Sequence, residues 1–114
     1  MSERRTPPNR RPSVTRRLVW QTDSAEHKFH VTIGLDVTTG DPVEVFYAAG
    51  QRGGSQLQHT IEDACVLISL LLQYGVEPQT IGKSLSTTPI YGQTQPATVV
   101  GVIAGAVTEG ALAA

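Results

Sequence analysis

The chain has one cysteine, one methionine and one tryptophan in 114 residues, and aromatic side chains make up only 5% of it. A lone cysteine, Cys65, excludes an internal disulfide framework, a cysteine-rich zinc site and a redox dithiol. So few aromatics leave the core to aliphatic side chains. No apolar run is long enough to cross a bilayer, because the most apolar stretch, "ATVVGVIAGAV", runs straight into Thr108 and Glu109. The opening "MSERRTPPNRRP" has no apolar stretch behind its charges, so no secretory signal is expected. A soluble, cytoplasmic protein without a membrane partner is the expectation.

Charge is scarce but unevenly placed. Up to residue 20 the chain carries Arg4, Arg5, Arg10, Arg11, Arg16 and Arg17 against Glu3, a balance of +5. The rest carries Lys28, Arg52 and Lys83 against nine acids, a balance of −6. Residues 1–14, rich in Arg and Pro and without hydrophobic period, read as a basic arm, extended or disordered when free. Residues 15–114 read as one domain, and a chain of that size buries roughly two-thirds of its unfolded surface.

Within that domain, "RRLVWQ" predicts a short strand with Leu18 and Trp20 on one face. In "KFHVTIGLDV", Phe29, Val31, Ile33 and Leu35 alternate with polar or small residues, which is the pattern of a half-buried strand. "TTGDP" turns the chain and "VEVFYA" returns it. Ser55 and Gln58 then form an S-x-x-Q capping box opening a helix. Leu57, Ile61, Ala64, Ile68 and Leu71 keep helical spacing, and Gly75 supplies the stop. Val66, Leu67, Leu70 and Leu72 make this helix apolar nearly all round, so more than a sheet must cover it. A second helix is predicted from Pro78 to about Leu85, "STTPIYGQTQP" as loop, and a last helix from Ala97 to about Leu112. Gly101 and Gly105 would give that helix a stripe for close backbone approach. Strands followed by helices, without βαβ alternation, predict an α+β domain: a small antiparallel β-meander of about three strands packed against two to three helices. The apolar first helix and the glycine stripe predict a homo-oligomer, most simply a dimer.

Candidate sites are few. "GQRGGS" leads into a helix N-terminus, where Arg52, Gly53, Gly54 and Ser55 have the chemistry to hold an anion such as a nucleotide phosphate. The same glycines also serve a plain strand-to-helix turn, and no P-loop or G-x-G-x-x-G spacing separates the two readings. The arginine pairs at 4–5, 10–11 and 16–17 either track phosphates of a nucleic acid or partner, or pair with the acids of the body. No aromatic residue interleaves with them for base stacking. No metal is expected: His27 and His30 fall on opposite faces of a strand, and His59 with Glu62 and Asp63 forms a polar helix face. No cofactor and no catalytic residue is expected either, since Cys65 lies within an apolar helix where a thiol is inert.

The segment "KFHVTIGLDVTTGDPVEVFYAAGQRGGSQLQHTIEDACVLISLLLQYGVEPQTIGKSL" resembles the TSCPD domain. This domain lies near the C-terminus of adenosylcobalamin-dependent (class II) ribonucleotide reductases and also occurs as short stand-alone bacterial proteins. The resemblance is carried by "EVF", by the glycine turn into Ser55 and above all by "LLLQYGVEPQTI", and it spans about Asn9 to Leu85. The motif that names the family is absent, as is a terminal cysteine pair. In the reductases the thiyl cysteine, the redox cysteines and the cobalamin-binding barrel lie outside this domain. The resemblance therefore implies a non-catalytic accessory module, tied to deoxyribonucleotide metabolism through a nucleotide or a reductase-like protein. The alternative from the residues alone is a small DNA- or RNA-binding protein that uses the arginine arm.

Overall fold

The computed structural model describes residues 12–51 and 53–113. It shows the expected α+β architecture. Strands β1 (Ser13–Gln21), β2 (Glu26–Leu35) and β3 (Pro42–Ala49) form an antiparallel sheet in the order β1-β2-β3. Register places Leu18 opposite Phe29 and Val14 opposite Ile33, with Ile33 in turn opposite Val45. Residues directly opposite share a face, so these side chains build one apolar surface. Two polar turns fix the hairpins. Thr22 Oγ1 accepts from Ser24 N at 3.3 Å and Ala25 N at 3.0 Å, and Asp36 Oδ1 accepts from Thr38 N at 2.8 Å and Thr39 N at 3.0 Å. Such Asx and hydroxyl turns take the place of the backbone bonds a tight reversal loses.

The first strand starts earlier than expected. It begins at Ser13 rather than Arg16, and Leu35 N donates to Pro12 O at 2.8 Å, so Ser13, Val14 and Thr15 already pair in the sheet. Apolar alternation is nearly absent before Leu18, and backbone pairing to β2 with a Thr15–Thr32 hydroxyl contact of 3.0 Å supplies the order instead.

Helix α1 (Gln56–Gln73) starts at the expected cap and stops at the expected glycine. Val76 N donates to Leu71 O and Gly75 N to Leu72 O, both at 3.0 Å, which is a Schellman closure with Gly75 at φ +93°. Its buried face is Ile61, Ala64, Cys65, Ile68 and Leu72, so Leu71, expected inside, points outward and Leu72 takes its place. The helix lies along β3 and closes its edge. Val45 N donates to Ser69 Oγ at 2.9 Å, the Ser69 hydroxyl donates back to Val45 O at 3.1 Å, and Gln73 Nε2 donates to Val43 O at 3.1 Å.

Helix α2 (Pro78–Lys83) is shorter than expected by two residues. The expected loop after it is instead a second hairpin, β4 (Thr87–Ile90) with β5 (Gln93–Pro96). Tyr91 at φ 51° and Gly92 at φ 81° form its two-residue turn, the left-handed geometry that matches strand twist. Helix α3 (Val99–Ala113) packs on α2 and on the sheet, placing Ile103 and Val107 in the core with Phe29, Ile33, Ile61 and Ile68. Half of the expected glycine stripe permits a close approach, between α3 and the end of β5. A Cβ on Gly101 would lie 2.9 Å from Pro96 Cβ, whereas one on Gly105 would meet nothing within 4 Å. No helix among the described residues is long and apolar enough to cross a membrane.

Candidate functional site

The glycine loop is anchored at both ends by its own residues. Gly50, just past β3, has φ +128°, and a Cβ there would fall 2.5 Å from Phe29 Cα and 2.8 Å from Lys28 O. The chain therefore crosses β2 at a distance no side chain permits. Gln51 N donates to Tyr47 Oη at 2.8 Å, and Gln51 Nε2 donates to Lys28 O at 3.3 Å. At the far end Ser55 is the N-cap, its Oγ accepting from Gln58 N at 3.1 Å. The Gln58 side chain reaches back, as a capping box requires, but its Oε1 accepts from Gly54 N at 3.2 Å, one residue before the cap.

This geometry bears on the two readings of the loop. Gly54, at φ +79°, spends its N–H on Gln58, so that donor is directed within the chain. Gly53 is exposed, with nothing within 4 Å of a Cβ built on it. Arg52, the side chain expected to grip an anion, lies outside the described residues, as do Arg4, Arg5, Arg10 and Arg11. Arg16 and Arg17 sit in β1 and point to opposite faces. Arg16 is opposite Val31 on the half-buried side, and Arg17 is exposed opposite His30. The pair therefore does not present two guanidinium groups to one ligand face.

The histidines stay apart. His27 stacks on Trp20 across the β1–β2 pair, with ring centroids 5.1 Å apart, and His30 is on the other face of β2. His59 Nδ1 lies 3.3 Å from Glu62 Oε1 on α1. Among the described residues no group of three or more His, Cys, Asp or Glu side chains is placed to hold a metal ion. Cys65 is buried, and desolvation followed by the nearby Glu62 charge pushes its thiol up to about 12. Both causes disfavour the thiolate, the form in which a cysteine attacks.

Among the concave surfaces of the described residues, two larger ones combine segments too distant in sequence to be associated by motif. One is a cleft of about 610 Å³ between the β2–β3 turn and the α1–α2 junction, with Asp41, Glu77, Gln79 and Thr108 among its walls. The other is a groove of about 380 Å³ between β3 and α1, lined by Phe46, Val66, Ser69 and Leu70 among others. Beside this groove α1 exposes much of its apolar surface: Leu67 is 61% exposed, Val66 57%, and Phe46 on β3 49%. The all-round apolar character of this helix was legible in the sequence; the contribution of Phe46 was not, because it depends on which strand α1 lies beside.

A family model described as the TSCPD domain matches residues 3–109. No curated protein and no solved structure matches the chain.

Proposed function

Because this chain belongs to the TSCPD domain family over nearly its whole length, we propose that it acts as a non-catalytic binding module in deoxyribonucleotide metabolism. The domain is one found in B12-dependent ribonucleotide reductases. Radical reduction of a ribonucleotide draws on a thiyl radical and a redox dithiol, and the cofactor carries the hard chemistry. This chain has one thiol in all, and the fold packs it inside α1 with its proton held up to about 12. That single observation carries the reading: a part played beside such chemistry is played through binding. The partner is a reductase-like protein, or a nucleotide that such a protein uses.

The test is a titration in two arms. In the first, the purified chain is added to a B12-dependent reductase lacking its own TSCPD domain, and binding is followed by calorimetry. In the second, deoxynucleoside triphosphates are titrated into the chain and into Arg52→Ala. Heat in the first arm alone identifies a protein partner. Heat in the second arm that Arg52→Ala removes identifies a phosphate held at the 52–55 loop. Silence in both arms overturns the proposal. A duplex DNA control read by fluorescence anisotropy separates the arginine-arm alternative, because phosphate contacts through arginines weaken steeply as salt rises.

A further inference from the structure

We infer that the exposed face of α1, with Phe46 of β3 beside it, is the contact through which two copies of this chain pair about a two-fold axis, with their α1 helices antiparallel. On α1 and its C-cap Tyr74, positions 56, 60, 63, 67, 70 and 74 follow each other at alternating steps of four and three, the spacing of a helix–helix seam. The seam is divided by chemistry. Gln56, Thr60 and Asp63 make its first half polar, and Leu67, Leu70 and Tyr74 make its second half apolar, flanked by Val66 and Leu71. From Ala64 to Tyr74 the helix carries no charged side chain.

Apolar half can meet apolar half in either direction, and the charge at Asp63 chooses between them. When Leu67 of one copy faces Leu70 of the other, antiparallel register also sets Asp63 opposite Tyr74, so a carboxylate meets a phenolic hydroxyl at each end of the apolar patch. Parallel pairing would set Asp63 against Asp63, two like charges across the seam, and would leave no partner for either. The groove of about 380 Å³ between β3 and α1 opens beside the same seam and offers a hole for the facing helix's side chains.

Area agrees with a second copy as the occupant. Phe46, Val66, Leu67, Leu71 and Tyr74 together expose roughly 450 Å² of mostly apolar surface, the size of the largest apolar patches that monomers carry, which are often functional. A standard interface covers about 800 Å² on each partner. Of that, a little over half is apolar. The patch therefore matches the apolar centre of one standard two-fold interface, with the polar half of the seam as its rim.

Sedimentation velocity on the full chain between about 1 and 100 μM should show a dimer, and Leu67→Arg should raise its dissociation constant by about 100-fold, as for the centre of an interface. Leu67 is mostly exposed, so Leu67→Arg should keep the wild-type circular dichroism spectrum. A chain that remains monomeric at 100 μM overturns the inference, and so does a Leu67→Arg dimer as tight as wild type. Register is read separately. The double variant Asp63→Cys with Tyr74→Cys should form a covalent dimer on oxidation, while each single variant should not. Cross-linking by Asp63→Cys alone overturns the antiparallel arrangement.

Discussion

Gly50 is the position where one methyl group should do most damage. Its φ of +128° lies where side chains are rarely tolerated, and the missing Cβ would fall 2.5 Å from Phe29 Cα, 2.8 Å from Lys28 O and 2.9 Å from Phe29 Cβ. Two of these three atoms are backbone in a central strand, so the strain has no flexible side chain to absorb it. A strained backbone conformation costs about 1–3 kcal/mol. Overpacking a well-filled site costs a further 1–3 kcal/mol. Gly50→Ala should therefore destabilise by about 2–6 kcal/mol, a large share of a small domain's total. At about 5 °C per kcal/mol for a domain of this size, the melting temperature should fall by roughly 10–30 °C. Gly54→Ala, with positive φ but open space, should cost about 1 kcal/mol. Gly53→Ala, with open space and no such φ, should be neutral within about 0.5 kcal/mol. Thermal and urea melts by circular dichroism give the series directly. If Gly50→Ala lies within 1 kcal/mol of wild type, or Gly53→Ala is as damaging as Gly50→Ala, the steric account of this loop is wrong.

Two other perturbations follow from the packing of α1. Ser69→Ala should cost about 1–3 kcal/mol in a urea melt, because it strips the hydroxyl that serves both Val45 N and Val45 O; Ser69→Thr should recover part of the loss. For Cys65, the folded protein holds the thiol proton up to about 12 whereas the unfolded chain loses it near 9, so stability should fall as pH rises from about 9 towards 12. Cys65→Ala should flatten that fall, and a thiol-reactive dye should label the native protein far more slowly than the urea-unfolded chain. Equal labelling rates would contradict the burial.

What the sequence made legible was set by local chemistry. The bounds of α1 were readable because Ser55 and Gly75 act within one turn of themselves, through a cap and a Schellman closure. The meander was readable because Phe29, Val31 and Ile33 alternate. The β4–β5 hairpin was not, because its strands are four residues each, are partly exposed and include Pro89 and Pro96. "YG" is the one local signal, and there Tyr91 occupies a left-handed position that Asn more often takes. The exchange of Leu71 for Leu72 on the buried face reflects where β3 and α3 lie, which no helical period specifies. At the candidate site, the capping role of Ser55 was readable. The Gly54–Gln58 bond and the split of Arg16 from Arg17 depend on backbone direction and register.

The closing of β3 by Ser69 and Gln73 has a consequence for how the protein behaves as a colloid. A sheet with a free border recruits further strands, and such borders seed fibrils. Here two polar side chains, one helical turn apart, occupy hydrogen-bonding positions that an incoming chain would need on β3. On the opposite border β1 has Arg16 on its core-facing side, an inward charge of the kind that discourages stacking. Turbidity and thioflavin fluorescence after repeated freezing and thawing should therefore report on Ser69 more sharply than a melting curve does: a variant still folded at room temperature would precipitate because it had become sticky.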